Sequence, residues 1–408
     1  MPFPTFSTIT IAGLPIWRAL IFLLAVAPLA YYCVAVIATI RFFTRERKKR
    51  LGTYTPPISV LKPVRGVDFA SYENLKSFCL QDYPEYEILF CVNDLSDEAV
   101  PLVHRLTEEF PQRSIRLLSE APQLGSNRKV SNLALLAREA KYELLVQSDG
   151  DVRAEPGYLR EMAAPFERIG TGVVSCLYCG ITQNDLWAAV EALGVATDFS
   201  AGVLVADWKE GVTFALGASV ATTKSWLAKI GGYEAIANVL ADDYEIGNRV
   251  AKAGGQVRIS REIVQTMYPA ATFRQFWQHQ SRWARTVRLC RPASYWGLLF
   301  VHGLPWAMVG GLASGSFKTA FYFLGAYLAL RLIQAWTSGV WGLRDETARK
   351  KLWLLPLRDA IHFAVWLSSL FSNRVTWGGT EFRLKANGEM VAAGAAAKKR
   401  EANEFQAG

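Results

Sequence analysis

The most constraining feature of the chain is an uncharged apolar run over residues 19–40, closed by a dense basic cluster at 41–50 (RFFTRERKKR). At 1.5 Å per residue a helix of that length crosses the ~30 Å hydrocarbon core of a bilayer. A cleaved leader carries its bases before a shorter apolar stretch. Here the bases follow, so residues 14–43 are expected to remain as an anchor. The positive-inside rule then places the N-terminus outside and residue 50 onward in the cytoplasm. The cluster holds six bases against one acid, more than half of the chain's net charge of +9. An excess gathered at a membrane edge is not the distributed basic surface of a nucleic-acid binder, and no nucleic acid is expected as a partner. Hydrophobic residues make up 51% of the 408, which excludes a disordered chain.

A second apolar region begins near Tyr295. Residues 295–312 and 320–340 are candidate spans, interrupted by Pro305 and Arg331, both tolerable where they face protein. Residues 352–371 carry Arg358 and Asp359 near their start. Charges at mid-membrane are expensive, so this segment reads as a span or as a helix at the interface. Three spans in all, the favoured count, leave the tail bases Arg374, Arg383, Lys385, Lys398, Lys399 and Arg400 on the cytoplasmic side; four would put them outside. The expected order is an anchor at 14–43, a cytoplasmic α/β domain at 56–291, membrane-associated helices at 292–375, and a cytoplasmic tail at 376–408, partly disordered after Met390.

Between the apolar regions the pattern alternates. Strands are expected at 58–61, 86–92, 115–118, 143–147 and 173–177, and helices at 72–80, 97–110, 129–140 and 159–169. Strands alternating with helices give βαβ units and a largely parallel sheet covered on both faces. Ligands bind such sheets beyond the C-terminal strand ends. The six cysteines are scattered, and Cys176 and Cys179 form a lone CxxC with only four histidines in the chain. A zinc site wants four ligands, so buried structural thiols are the expectation.

Four polar clusters stand out. Asp94 and Asp97 follow the 86–92 strand, where Asp94 is placed to accept from a base or ribose hydroxyl and Asp97 to cap the next helix. Asp149 and Asp151 follow the 143–147 strand; in extended backbone, residues i and i+2 point to one side and converge on one divalent cation. Asp242 and Asp243 open a helix, and acids in a first turn also serve as caps, the role expected of Asp242. His279, Arg282 and Trp283 share a helix face, with Arg282 suited to phosphate oxygens and the indole to stacking on a ring or sitting in an interfacial belt.

Together these clusters resemble the GT-A nucleotide-sugar glycosyltransferases of the processive-synthase superfamily and, within it, the ceramide glucosyltransferases. The residues carrying the resemblance are Ser59-Val60-Leu61-Lys62-Pro63 with Gly66, Phe90-Cys91-Val92 leading into Asp94, Lys129 with Asn132-Leu133, Asp149, Asp243-Tyr244, and Trp377 followed by Phe382-Arg383-Leu384. The resemblance covers about residues 14–388, including the N-terminal anchor and the C-terminal membrane region. Two positions depart from the family pattern. His279 stands where Gln or Arg is usual, and both Asp149 and Asp151 are present where the animal enzymes have one Asp. With the run Arg282-Trp283-Ala284-Arg285-Thr286, these departures also look like bacterial hopanoid-biosynthesis glycosyltransferases.

The resemblance implies an α/β fold with a GT-A (Rossmann-like) domain and an integral membrane protein, most simply of a bacterial inner membrane. The activity it implies is inverting transfer of a hexose, glucose first among them, from a UDP-sugar to a hydroxyl of a membrane lipid, ceramide or a hopanoid. Asp94 would contact the uridine, with Lys62 and Lys129 nearby. Asp151 would hold Mg²⁺ or Mn²⁺ on the diphosphate, and Asp149 would support the ribose or the metal. Arg282 would offset charge on the leaving UDP, Asp243 would be the general base, and His279 and Trp283 would line the acceptor side. The alternatives are a polyprenyl-phosphate sugar transferase, a polysaccharide synthase, which usually has more spans, or a catalytically silent membrane scaffold, against which every motif position carries a competent residue.

Overall fold

A computed structural model describes residues 10–11, 14–45, 54–183, 185–269 and 271–393. The bases at 46–50 and Lys398, Lys399 and Arg400 lie outside the described residues. Two compact units are formed, one from residues 54–188, 206–271 and 373–393, the other from residues 10–45, 189–205 and 272–372.

The first unit is α/β. Its strands are β1 (Ile58–Pro63), β2 (Tyr86–Cys91), β3 (Ser114–Leu118), β4 (Leu144–Ser148), β5 (Val152–Arg153), β6 (Thr171–Thr182), β7 (Ser219–Thr223) and β8 (Gln256–Tyr268). They join in one sheet in the order β3-β2-β1-β4-β7-β6-β8-β5. The half containing β3, β2, β1 and β4 is parallel, as the βαβ pattern predicts. Every residue of β2 is buried, which is why it reads as an unbroken apolar run. The other half is mixed: β7 runs antiparallel to both β4 and β6, while β6 and β8 are parallel. The helix expected over 159–169 is α-helical only through Tyr158–Ala163 and continues as a 3₁₀ turn, Ala164–Glu167. Pro165 has no N–H to donate there. Cys176 and Cys179 are free, buried thiols on β6, three residues apart and so on opposite faces of the strand.

The crossover helix Arg128–Glu139 is capped by Asn127, whose side chain accepts from the Val130 N–H. It buries Val130, Leu133 and Leu136 against Leu61 of β1, Leu89 of β2 and Leu145 of β4, in one core with Ile246 and Val250 of the helix Asp242–Lys252. The chain leaves β1 toward β2 on one side and returns as β4 on the other. The carboxyl ends of β1 and β4 therefore flank the topological switch point, where open α/β sheets bind ligands.

Residues 374–392, assigned to the tail and the last membrane segment by sequence, form a three-stranded antiparallel sheet in this unit: β9 (Arg374–Trp377), β10 (Thr380–Leu384) and β11 (Met390–Ala392). The β9–β10 link is Gly378-Gly379, both at positive φ, as a tight hairpin turn requires. β11 is tied down by the Met390 N–H donating to Asn238 O at 2.8 Å and by Ser126 Oγ donating to Met390 O at 3.3 Å.

The second unit is helical. Among the described residues, two helices are long and apolar enough to cross a membrane: Ile16–Thr44, the expected anchor, and Leu186–Lys209, whose 189–205 portion belongs to this unit. The second was not expected. Its apolar residues are largely buried inside the protein, 78% of its most apolar window. The 295–312 span is two helices, Pro292–Phe300 and Gly303–Ser314, bent by 45°, which together are long and apolar enough for a third span, broken at the bend. The helix Phe317–Ala335 carries Arg331, which pairs with Asp359 of the helix Leu355–Ser369 at 2.9 Å and with Asp198 at 2.5 Å. Tyr327 donates to the same Asp359, and Gln334 to the carbonyl of Thr197. Charges that look misplaced along the sequence thus neutralise one another across helices, which is how ionisable groups persist in apolar segments.

Candidate active site

The two acids after β4 are brought together by a turn. The Asp149 N–H donates to Ala218 O on the β7 side at 3.2 Å, and the Val152 N–H donates back to Asp149 O at 3.3 Å. Residues 149–152 therefore reverse direction, and the extended i, i+2 geometry expected from sequence is not what orients the pair. The Asp151 carbonyl is anchored from two sides, by the Met267 N–H of β8 and the Asn74 side-chain amide.

Lys62, at the end of β1, is fully buried beneath this turn. Its ammonium donates to Asp149 O at 2.5 Å and lies 3.9 Å from the centre of the Phe78 ring. Sequence placed Lys62 against the nucleotide, but a side chain with no exposed surface acts on the site through the turn it holds. Burial pulls its pKa down to about 7, against the opposing charges of Asp151 and Asp149. The Asp151 carboxyl moves the other way. Burial, reinforced by Asp149 and opposed by Lys62, raises it to about 7. A half-buried acid beside a second acid is a site short of positive charge.

Lys129, in the first turn of the helix Arg128–Glu139, reaches Asp149 Oδ1 at 2.6 Å and Asp242 Oδ2 at 3.4 Å. Burial alone would lower its pKa, but Asp149, Asp242 and the more remote Asp243 override this and hold it raised. Asp242 is not the cap expected of it. The N-cap of its helix is Ala241, with no side-chain cap bond, and Asp242 is buried at 5% exposure as the second carboxylate on Lys129. Lys129→Met would leave that carboxylate buried and unpaired. Breaking a buried ion pair from one side costs about 3–5 kcal/mol, and the 22% exposure of the Lys129 side chain points to the lower end. Thermal unfolding should show a midpoint several degrees lower for Lys129→Met, and an unchanged midpoint would refute the bridging role.

Asp243, the next residue, is only partly exposed. A Cβ on Gly217 would lie 3.0 Å from Asp243 Oδ2, so the carboxylate rests on the bare backbone of the loop entering β7. One turn on, a Cβ on Gly247 would be 2.2 Å from the Ala215 nitrogen; glycine lets the helix settle that close to the 214–217 loop. Burial first, then the charge of Asp242, raises the Asp243 carboxyl to about 7, with Lys129 opposing. Asp149, Lys129, Asp242 and Asp243 thus act on one another electrostatically, next to the Asp149–Asp151 turn.

Asp94 stands one strand over, exposed beyond β2, with its carboxylate accepting from the Ser96 N–H at 2.7 Å. Asp97 accepts from the N–H groups of Ala99 and of Gly66, which fastens the loop after β1 to the loop after β2. Asn93 accepts from the Asn132 side chain, tying the same loop to the Lys129 helix. Among the described residues no three of His, Cys, Asp or Glu converge as a ready metal cage.

His279, Arg282 and Trp283 lie on the helix Phe273–Cys290 of the second unit. The His279 and Trp283 rings are 4.9 Å apart, and Trp283 packs on Phe199 at 6.5 Å. Sequence reasoning missed Glu191, which pairs with His279 Nδ1 and accepts from the Gln280 amide at 3.2 Å. The signal was present: Glu191 is an acid inside an otherwise apolar stretch.

A sheet of this order, with carboxylates and lysines gathered at its switch point, is the GT-A fold of glycosyltransferases. A mannosyltransferase from Pyrobaculum calidifontis, solved with GDP-Man and Mn²⁺, shares that fold at a TM-score of 0.52 and 18% identity, over 87% of this chain and 99% of that one. The sequence model of Glycosyl transferase family 21 matches residues 20–390, and the chain belongs to that family. Ceramide glucosyltransferase 1 of Caenorhabditis elegans is 30% identical over 233 residues, 56% of this chain and 49% of the relative. Ceramide glucosyltransferase 3 of the same organism is 25% identical over 374 residues, 88% of this chain and 80% of the relative. The chain thus aligns with about half the length of the first and four fifths of the second.

Proposed function

We propose that the protein transfers a hexose, glucose in the simplest case, from a UDP-sugar to a hydroxyl of a membrane lipid, with ceramide as the acceptor and inversion at the anomeric carbon. The observation carrying this reading is the cluster at the sheet's switch point, where Lys129 bridges Asp149 and Asp242 and the Asp243 carboxylate rests on the bare backbone at Gly217, next to the turn holding Asp151. The ceramide glucosyltransferase relatives supply the acceptor class.

In this mechanism Asp243 takes the proton of the acceptor hydroxyl. The acceptor oxygen bonds to the anomeric carbon from the face opposite UDP, and the bond from that carbon to the diphosphate oxygen breaks. A carboxyl with a pKa near 7 is well matched to this task at neutral pH. Asp94 binds the uridine, and Lys129 fixes Asp149 toward the ribose and diphosphate. Lys62 holds the turn from below. Arg282 receives charge from the leaving UDP, and His279 and Trp283 line the acceptor side. A divalent cation fits the residues present: Asp151 is a half-buried acid crowded by Asp149 and, more weakly, Asp68. Mg²⁺ commonly binds one or two carboxylates and takes its remaining ligands from water and substrate phosphates, so no third protein ligand is needed. Mg²⁺ or Mn²⁺, when bound, would stabilise charge on the diphosphate.

The protein is read as integral to a bacterial inner membrane, with the α/β unit on the cytoplasmic face. Purified protein given labelled UDP-glucose and ceramide in lipid vesicles should yield glucosylceramide by mass spectrometry. Product on a hopanoid but none on ceramide would refute the acceptor assignment, and label appearing only in polymer would refute lipid glycosylation.

A further inference from the structure

Glu191 is an expensive residue where it stands. It is 4% exposed, on a helix with Ala188, Ala189, Val190, Ala192 and Leu193 buried around it. A carboxylate in such surroundings persists only where it is paired and hydrogen-bonded. Both of its partners are consecutive residues of the helix Phe273–Cys290: His279 through Nδ1, and Gln280 through its side-chain amide. One face of the His279 ring is thereby committed to Glu191. A second contact comes from Trp283, itself backed by Phe199. The ring still keeps 32% of its side chain exposed, and its Nε2 makes no hydrogen bond among the described residues. An imidazole held at one nitrogen by a buried carboxylate has a fixed tautomer and orientation, with the other nitrogen ready for an outside partner.

We infer that Glu191 is a positioning residue for acceptor recognition: it fixes His279 so that Nε2 is presented to a hydroxyl of the lipid head group. With Nδ1–H directed at Glu191, Nε2 carries the lone pair and accepts from an O–H. Trp283, backed by Phe199, supplies an apolar wall against the His279 ring, which suits a group that is polar at one end and hydrocarbon at the other. The inference rests on the lipid-hydroxyl reading above and adds to it the residue that aims the histidine.

Glu191→Leu separates this role from a structural one, because leucine is at home in an apolar helix and removes a buried charge. The expected result is a folded protein with unchanged UDP affinity by calorimetry and an acceptor KM raised about tenfold, the loss of one well-oriented hydrogen bond. Glu191→Gln retains an acceptor for Nδ1–H and should stay within a few-fold of wild type. The double variant Glu191→Leu/His279→Ala should be no worse than His279→Ala alone, since both changes remove the same contact. A wild-type acceptor KM in Glu191→Leu, or effects that multiply in the double variant, would overturn the inference. Failure of the underlying reading registers differently, as no lipid product from the wild-type protein.

Discussion

Asp243→Asn is expected to lower sugar transfer by roughly 10²-fold or more while leaving donor affinity near that of wild type. Asparagine keeps the size and the polar contacts of the site and loses only the ability to take a proton. The wild-type profile should carry an acid limb near pH 7, because burial and Asp242 raise the Asp243 carboxyl to about 7 and only the ionised form accepts a proton. That limb should vanish from the residual rate of the variant. Stability provides an independent check of the same group. A carboxyl whose folded pKa lies above its unfolded value favours the folded state fully below the unfolded pKa, and this contribution is lost as pH rises through about 7. Asp243→Asn should therefore match wild type in thermal midpoint near pH 4 and exceed it at pH 8. Asp242→Asn is not a silent control, because Asp242 shares Lys129 and is not a helix cap. Full transfer by Asp243→Asn would remove Asp243 from the role of base.

Much of this was legible in the sequence, for physical reasons that also mark where reading stops. β1, β2 and β4 are buried on both faces, so their composition alone shows them as strands. β7 is Ser219-Val220-Ala221-Thr222-Thr223, small and half polar, and β8 is mostly half-buried, without a clean period of two, and broken by a bulge, so neither stands out from loop. The helix Leu186–Lys209 was passed over because Glu191, Asp198 and Asp207 break its apolar run. Two of those acids have their partners far along the chain, at His279 and Arg331. Spacing likewise identified the acids at 149, 151, 242 and 243 but not what each one faces. Only the folded chain shows Lys129 between Asp149 and Asp242, or Lys62 sealed under the turn. Local pattern reports residue chemistry; pairing between residues distant along the chain belongs to the tertiary fold.

Asp151→Asn should nearly abolish transfer while the protein remains folded. The carboxyl is half-buried beside Asp149 and raised to about 7, so ionising it without a bound cation is costly. Replacing it with a neutral amide relieves that cost, and the thermal midpoint should not fall. What the variant loses is the site's excess negative charge, which is the feature suited to a divalent cation. Calorimetry should show Mn²⁺ binding weakened in Asp151→Asn, and donor affinity weakened with it, because the diphosphate and the carboxylate are expected to share the ion. EDTA should reproduce the loss of transfer in the wild-type protein, and added Mg²⁺ or Mn²⁺ should restore it there but not in the variant. Lys62 bears on the same point. Its buried ammonium already opposes the charge of Asp151 and Asp149, so Lys62→Met should raise the Asp151 carboxyl further and make metal binding more dependent on pH. Transfer that proceeds undiminished in EDTA would remove the metal from this mechanism and leave cationic side chains, Lys129 and the proposed Arg282, to stabilise the leaving diphosphate.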